Sequence, residues 1–212
     1  MVKKYVKRQI SKDNWIEFRG LSMLIKKGVF HPLFFFSTKF LIEFLEKESI
    51  EEKRILELGA GSGLISFYCE SKKKAIVTAS DISPIAIDGL KFNRNRLRAK
   101  LQIIHSDLFK NIPKQVFDYI IINPPYYPKK AVSEEDFAWY CGENFEYFSS
   151  LFVQIEGYFN ENSKILMVLS DDCKIERIAE ISKPFGFTMI LLQSKKFYFE
   201  KNFIFRIVKI DN

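Results

Sequence analysis

The stretch RILELGAGSG, residues Arg54–Gly63, decides the fold of this chain. Its first half is an apolar run that predicts a buried strand, and its second half is a glycine-rich turn that opens a helix near Ser62. From this point on, short apolar runs alternate with helical patterns, which is typical of consecutive βαβ units. We therefore predict an α/β protein with a mostly parallel sheet and helices on both faces.

The apolar runs predict about seven strands. Ser83 followed by Pro84 predicts a helix that ends near Arg96, because serine caps free N–H groups and proline fits a first turn. The run KFLIEFLEKE, residues 39–48, predicts a further helix. The last two strands are joined by SKKFYFEKN without a helix, so they should form an antiparallel hairpin at one side of the sheet. The predicted strands are residues 54–58, 75–80, 101–106, 116–122, 164–170, 187–193 and 203–210.

The composition is that of one folded domain. The 212 residues suffice for a single core, and 47% are hydrophobic while 28% are charged. The most apolar stretch, Leu33–Leu45, is interrupted by polar residues and falls short of the roughly 20 apolar residues that a membrane span needs. We expect a cytoplasmic protein with neither a signal peptide nor membrane contact. Three scattered cysteines and two histidines predict free thiols and no metal site.

The net charge of +7 is concentrated at the N-terminal end. Residues 1–27 carry eight basic residues against Asp13 and Glu17, which gives 8 − 2 = +6. We therefore predict a basic N-terminal extension over residues 1–27 and one domain over residues 28–212. Such an arm can follow phosphates or an acidic protein surface, but a lysine-biased composition produces the same excess.

The spacing of the glycines distinguishes between two kinds of ligand site. A dinucleotide fingerprint needs G-x-G-x-x-G, but the phrase GAGSG, residues 59–63, is followed by Leu64 where the third glycine should stand. Two carboxylates follow at predicted strand ends, Asp81 and Asp107. A carboxylate in such a place can accept hydrogen bonds from both hydroxyls of a ribose. We therefore expect a nucleotide-like ligand other than a dinucleotide.

The form G-x-G-x-G preceded by an acidic residue resembles motif I of the class I methyltransferases. The resemblance implies a Rossmann-like fold and S-adenosyl-L-methionine as the cofactor, with Glu57 facing its cationic part and Asp81 its ribose. It also implies that Asp107 receives the adenine amino group and that the Leu108 N–H addresses the ring. The cofactor-binding residues implied in this part of the chain are Glu57, Gly59, Ala60, Gly61, Gly63, Asp81, Ile82, Asp107 and Leu108.

The phrase NPPY, Asn123–Tyr126, follows a predicted strand and should lie at the carboxyl edge of the sheet beside the cofactor. A planar NH₂ group is a poor nucleophile because its lone pair is delocalised. The Asn123 side-chain oxygen and the Pro124 carbonyl can accept its two N–H bonds, while the Tyr126 ring stacks on the flat acceptor. The cofactor carries its own leaving group, so no metal is needed. We predict these three residues as catalytic, with Asn123 also facing the cofactor.

Two further phrases resemble the HemK-type glutamine methyltransferases of the methyltransferase small-domain superfamily. GVFHPLFFFSTKFLIEFL, residues 28–45, resembles the phrase before motif I, and its matching positions Phe30, Pro32 and Thr38 are implied to contact the cofactor. AWYCGENFEYFSSLF, residues 138–152, resembles the segment after NPPY. The resemblance implies methylation of a protein glutamine, in a substrate of the release-factor or ribosomal type.

NPPY also occurs in methyltransferases of adenine, cytosine and guanine amino groups, so other substrates remain open. Methylation of a tRNA or rRNA base, at adenine N6 or guanine N2, is favoured by the basic arm and by residues that can form an aromatic wall against a flipped base. Those residues are Phe30, Tyr127, Trp139 and Tyr140. A third interpretation is a protein that binds the cofactor without turnover, against which the intact NPPY phrase argues.

Overall fold

The computed structural model describes residues 12–198 and 200–210, apart from the side chains at 134 and 135. Residues 1–11 of the predicted basic extension lie outside the described residues. The strands in the described part are β1 (Asn14–Phe18), β2 (Leu21–Ile25), β3 (Arg54–Leu58), β4 (Ile76–Asp81), β5 (Gln102–His105), β6 (Tyr119–Ile122), β7 (Lys164–Ser170), β8 (Phe187–Phe197) and β9 (Glu200–Lys209). The α-helices there are α1 (Phe36–Leu45), α2 (Leu64–Lys73), α3 (Pro84–Leu97), α4 (Glu146–Gln154) and α5 (Ile175–Ser182).

Seven of the strands form one mixed sheet in the order β5-β4-β3-β6-β7-β9-β8. The first five of these are parallel, while β9 is antiparallel to both β7 and β8. This confirms the predicted Rossmann-like α/β fold with its antiparallel C-terminal hairpin. The hairpin is longer than predicted, because its pairing continues to Phe197 and Glu200.

Helices cover both faces of the sheet because the strands alternate their buried side chains between two cores. Ile55 and Val77 pack in a core with α1, α2 and α3, whereas Leu56 and Ile120 pack in a second core with α4 and α5. The sequence pattern does not predict α4 and α5, which are only 9 and 8 residues long. No described helix is both long and apolar enough to cross a bilayer.

The order of the strands reverses between β3 and β6. In open α/β sheets, ligands bind at such a reversal, in the crevice outside the carboxyl ends of the strands. Leu58 and Ile122, the last residues of these two strands, are paired directly. The glycine turn after β3 and the NPPY phrase after β6 therefore begin side by side.

The starts of two helices, α2 and α3, have local causes. The Ser83 hydroxyl accepts a hydrogen bond from the Ala86 N–H at 3.4 Å, which confirms the predicted start of α3. The helix expected near Ser62 begins at Leu64, because Gly63 has a left-handed backbone with φ of 78°. The helix predicted over residues 39–48 is α1, which begins and ends three residues earlier.

The strands β1 and β2 form a separate hairpin inside the predicted basic extension. Its side chains Ile16 and Met23 are buried in the same core as α2 and α3. The buried Asn93 side chain of α3 accepts a hydrogen bond from the Leu24 N–H at 2.9 Å and donates one to the Leu24 carbonyl at 2.8 Å. The hairpin therefore packs firmly on the rest of the chain. The boundary at residue 28 stays a prediction.

Candidate active site

A cavity of about 660 Å³ opens where the glycine turn, the strand-end carboxylates and the NPPY phrase meet. The structure thus brings most of the predicted site residues together. Those that line the cavity are Phe30, Thr38, Glu57, Gly59, Ala60, Gly61, Asp81, Ile82, Asp107, Leu108, Asn123, Pro124 and Tyr126. Pro32 and Gly63 do not line it.

Glu57 of β3 is bound by the first turn of α2. Its Oε2 atom accepts hydrogen bonds from the Ser66 N–H at 2.8 Å and from the Ser66 hydroxyl. Burial raises the pKa of Glu57 to about 8, the two Ser66 hydrogen bonds oppose this rise, and the charge of Asp81 adds to it. A cation in the cavity favours the ionised form of such a carboxyl group. Glu57 is therefore suited to a positively charged ligand.

The glycines of the turn serve two different purposes. Gly61 has φ of 52°, and its N–H donates to Oδ2 of Asp81 at 2.7 Å beside the cavity. Gly63 serves helix packing instead, because a Cβ atom there would lie 2.3 Å from Cδ2 of Leu90 and 2.9 Å from the Phe67 ring. The first part of the turn thus shapes the cavity wall, while its last glycine lets α2 approach α3.

Asp81, the last residue of β4, is held by backbone groups on both sides. Its Oδ2 atom accepts the Gly61 N–H at 2.7 Å, and its Oδ1 atom accepts the Ser83 N–H at 2.8 Å. Burial raises the pKa of Asp81, and these N–H groups oppose the rise. An ionised carboxylate offers about four acceptor positions. Asp81 therefore keeps the capacity to accept hydrogen bonds from two neighbouring hydroxyl groups.

Asp107 and Leu108 follow β5 and line the cavity. The Asp107 side chain is partly exposed and forms an ion pair with Lys110 at 2.6 Å. Leu108 has a left-handed backbone with φ of 48°, which is uncommon for a residue with a side chain. The Ser106 hydroxyl supports this turn by donating to the Leu108 carbonyl at 2.8 Å and accepting the Asn111 N–H at 3.0 Å. Contact of this turn with a nucleobase stays a prediction.

Asn123 and Pro124 lie at the tip of β6 and line the cavity. The Asn123 side chain is half-buried, and it makes no hydrogen bond with residues 12–198 or 200–210. The Tyr126 ring packs against the second core, and burial raises the pKa of its phenol. The amide of Asn123 is therefore available to a ligand, beside a neutral aromatic surface.

The acceptor loop, residues 127–142, closes on itself after the NPPY phrase. The Tyr127 N–H donates to the Trp139 carbonyl at 3.0 Å, and the Cys141 N–H donates to the Tyr127 carbonyl at 3.0 Å. Tyr127 and Tyr140 form an isolated parallel bridge. Both ends of the acceptor loop are thus fixed at the cavity.

Aromatic rings from two loops meet at the entrance of the cavity. Trp139 packs against Phe30 with 5.3 Å between ring centroids, and against Phe35 with 5.2 Å. Tyr127 and Tyr140 also line the cavity, so the four residues named as an aromatic wall from the sequence lie together. His31 is different, because it is buried, stacks on Phe34 at 3.8 Å and does not line the cavity.

Helix α4 adds lining residues that the sequence patterns did not single out. Tyr147 and Ser150 lie about one turn apart on α4, and both line the cavity. Within the described part of the chain, the Tyr147 hydroxyl has no hydrogen-bond partner. Burial, together with the charges of Asp81 and Asp107, raises the pKa of this phenol. The segment 138–152 pointed to this stretch but gave no signal for the individual residue.

The charges of the cavity fit a cationic cofactor that contains a nucleoside. Glu57 and Asp81 are buried carboxylates, and no lysine or arginine among the described residues forms an ion pair with either. A buried charge without a partner costs free energy, which a cationic ligand offsets. The reversed strand order, the glycine turn and these carboxylates agree with the S-adenosylmethionine site that the resemblance to the class I methyltransferases implies.

The sequence model of the methyltransferase small domain matches residues 21–201, and this chain belongs to that family. It is 26% identical over 191 residues to a Methanocaldococcus jannaschii protein provisionally named as a protein N5-glutamine methyltransferase, across 88% of this chain and 94% of that one. It is 36% identical over 89 residues to the tRNA1(Val) (adenine(37)-N6)-methyltransferase of Vibrio campbellii, across 41% of this chain and 37% of that one. S-adenosylmethionine is the cofactor of the present chain, as a member of this family.

Solved structures share this fold over most of the chain. A methyltransferase from Pyrococcus furiosus has a TM-score of 0.67 and 19% identity, across 99% of this chain and 97% of that one. The E. cuniculi Mtq2–Trm112 complex, responsible for methylation of the termination factor eRF1, has a TM-score of 0.63 and 20% identity, across 86% of this chain and 99% of the matched one. A T. thermophilus 16S rRNA guanine-N2 methyltransferase in complex with AdoMet and guanosine has a TM-score of 0.63 and 17% identity, across 92% of this chain and 50% of that one.

Proposed function

We propose that this enzyme methylates the side-chain amide nitrogen of a glutamine in a cytoplasmic protein of the release-factor or ribosomal type. The observation that carries the proposal is the side chain of Asn123, which lines the cavity and has no hydrogen-bond partner within the described residues. An amide oxygen in this place can accept an N–H bond from a planar acceptor group.

The groups of the chain itself orient the acceptor nitrogen. The Asn123 Oδ1 atom and the Pro124 carbonyl accept its two N–H bonds, which turns its lone pair towards the cofactor. Tyr126 offers a flat neutral surface, since burial raises the pKa of its phenol. Glu57 and Asp81 hold the cationic and ribose parts of the cofactor. S-adenosylmethionine, when bound, supplies an electrophilic methyl group with its own leaving group.

A protein substrate is supported by the comparisons that span whole chains. The M. jannaschii relative, whose name specifies glutamine, is matched over 94% of its length, and the E. cuniculi structure over 99% of its matched chain. The tRNA and rRNA enzymes are matched over only 37% and 50% of theirs. The size of the unit therefore agrees with these two relatives, whereas a release factor glutamine methyltransferase of Rhodopirellula baltica is matched over only 28% of its length.

Carboxylates beside the NPPY phrase also favour a protein acceptor. The Tyr127 hydroxyl donates to Oδ2 of Asp172 at 3.2 Å. Glu200 is half-buried, and burial raises its pKa, with Asp172 and Asp171 adding to the rise. Anionic groups in this place repel the phosphates of RNA. A peptide meets less repulsion there.

The second candidate is methylation of an exocyclic amino group on a tRNA or rRNA base. The aromatic wall of Phe30, Tyr127, Trp139 and Tyr140 favours it, since enzymes that act on a flipped base stack it between such rings. Adenine N6 or guanine N2 then takes the place of the glutamine amide. A protein that binds the cofactor without turnover is disfavoured by the free Asn123 amide.

The experiment is transfer of a labelled methyl group from S-adenosylmethionine into cell lysate, with and without ribonuclease. We expect the label to stay on protein after ribonuclease treatment and to map to a glutamine by mass spectrometry. Label confined to RNA overturns this proposal in favour of the second candidate. Absence of label from protein and RNA alike, with cofactor binding intact, supports the binding protein instead.

A further inference from the structure

The hairpin face is a surface outside the cavity, formed by β1 and α3 around Trp15, Phe92 and Arg96. Trp15 is 56% exposed and Phe92 is 45% exposed, with 6.1 Å between their ring centroids. The guanidinium carbon of Arg96 lies 4.6 Å from the centroid of the Trp15 ring. None of the three residues lines the active-site cavity.

Trp15 and Phe92 do not pack in either hydrophobic core. Ile16 points inward from β1 and Asn93 is buried on α3, whereas Trp15 and Phe92 face outward from the adjacent positions. Exposed rings of this size forgo the favourable free energy of burial. Two large rings exposed side by side are more typical of a surface that binds a partner than a single exposed ring is.

Basic side chains outnumber acidic ones on α3 and just after it. On α3 and just after it, four basic side chains form no ion pair with any residue that the structure describes: Lys91, Arg94, Arg98 and Lys100. The acidic residues on β1 and α3 are Glu17 and Asp88. Residues 1–11, outside the described part, join the chain shortly before Trp15 and contain four basic residues and no acidic one.

We infer that the hairpin face binds single-stranded RNA and holds the enzyme on an RNA-containing particle. Proteins that bind single strands combine a positively charged surface with aromatic rings on which bases stack. The hairpin face has both features, whereas near the NPPY phrase the carboxylate of Asp172 accepts a hydrogen bond from the Tyr127 hydroxyl. This inference goes beyond the proposed function, because the RNA is a tether here and not the methyl acceptor.

The exposed rings favour RNA over an acidic protein as the partner. Phosphates and acidic side chains are both attracted by the cations of this face. Nucleobases gain a stacking free energy of about 1–3 kcal/mol per base from rings such as Trp15 and Phe92, whereas acidic side chains do not stack on them. Removal of the rings therefore separates the two kinds of partner.

The test is fluorescence anisotropy of an unpaired RNA of about 20 nucleotides, titrated with the full-length chain in the absence of S-adenosylmethionine. We expect affinity to fall steeply with added salt, because binding displaces counterions from phosphates. The double variant Trp15→Ala with Phe92→Ala is expected to bind about tenfold or more weakly. The control is Tyr198→Ala, which removes an 82% exposed ring from the β8–β9 turn and is expected to leave RNA affinity unchanged.

Two further variants keep the inference open to refutation if the double variant folds poorly. Arg94→Gln with Arg98→Gln, and a chain lacking residues 1–12, should each reduce the dependence of affinity on salt. Cofactor affinity, measured by calorimetry, should match the unaltered protein in every variant. Absence of RNA binding at low salt, or equal binding without the two rings, overturns the inference. If polyglutamate displaces the RNA and the double variant binds RNA as tightly as the unaltered chain, the face is assigned to an acidic protein instead.

Discussion

The two halves of the active-site cavity are held together in different ways. On the cofactor side, side chains at strand ends are fixed by backbone groups, as Asp81 is by Gly61 and Ser83. On the acceptor side, the wall consists of rings from two loops that touch each other, such as Trp139 on Phe30. The sheet therefore fixes one half, while loop packing fixes the other. Substitutions in the two halves should separate binding of the cofactor from use of the acceptor.

The largest expected effect belongs to Asn123→Ala, at the junction of the two halves. Loss of the amide oxygen leaves the acceptor nitrogen poorly oriented, and we expect turnover to fall by about 10³, by analogy with the loss of one transition-state hydrogen bond. Cofactor affinity should change less than about threefold. Single-turnover methyl transfer and calorimetry measure the two effects, with the exposed Asn162→Ala as a control. An equal loss of cofactor affinity contradicts the assigned role.

Trp139→Ala tests the acceptor side alone. Removal of this ring opens the contacts with Phe30 and Phe35, and we expect KM for the acceptor to rise about tenfold, as for an aromatic residue at the centre of an interface. The dissociation constant of the cofactor should stay nearly unchanged. The matched control is Trp15→Ala on the hairpin face, which should leave this KM as it is. A larger effect on the cofactor than on the acceptor would place Trp139 in the wrong half.

Glu57→Gln tests the cofactor side through pH. The pKa of Glu57 in the free protein is about 8, so below that pH the group must lose a proton to meet a cation. Cofactor affinity should therefore rise by more than about tenfold between about pH 6 and pH 8, with proton release, and the variant should show neither the rise nor the release. Calorimetry in buffers of different ionisation enthalpy measures the released protons.

The same raised pKa has an opposite consequence for the stability of the free protein. Since the unfolded carboxyl ionises near its ordinary value of 4.5, stability is lost as the pH rises from there through about 8. Without cofactor, Glu57→Gln should thus gain melting temperature relative to the unaltered chain at pH 8 but little at pH 5. An equal difference at both values contradicts the assigned pKa.

The smallest expected effect is that of Tyr147→Phe. The hydroxyl faces the cofactor side without a partner in the described residues, so its loss should weaken cofactor binding by about threefold to tenfold, the value of one neutral hydrogen bond. The ring remains, and the packing of α4 with it. Calorimetry on this variant, with Tyr198→Phe at the exposed turn as the control, measures the change. Unaltered affinity would leave Tyr147 with a packing role only.

The meeting of Glu57, Gly61 and Asp81 at one cavity could be predicted because local patterns encode it. A strand followed by a glycine turn places Glu57 and Gly61, and the end of the next strand places Asp81, whatever the rest of the chain does. Gly63 was assigned to the cofactor from the same pattern, but its place is decided by Leu90, which is distant in sequence. A local pattern cannot contain such a contact.

The acceptor side and the N-terminal hairpin were harder to predict than the cofactor side. The rings of the wall could be named, but the contact of Trp139 with Phe30 joins segments more than 100 residues apart. Residues 14–25 were counted with the basic extension, although Arg19 is their one basic residue and Ile16 and Met23 are buried. Helices α4 and α5 were not predicted, although Ile175, Ile178 and Ile181 of α5 recur at helical spacing.

The bridge between Tyr127 and Tyr140 separates the interior of the acceptor loop from the NPPY phrase. The hydrogen bonds of Tyr127 with Trp139 and Cys141 close the loop at its base, so a change of length within its interior need not displace Asn123.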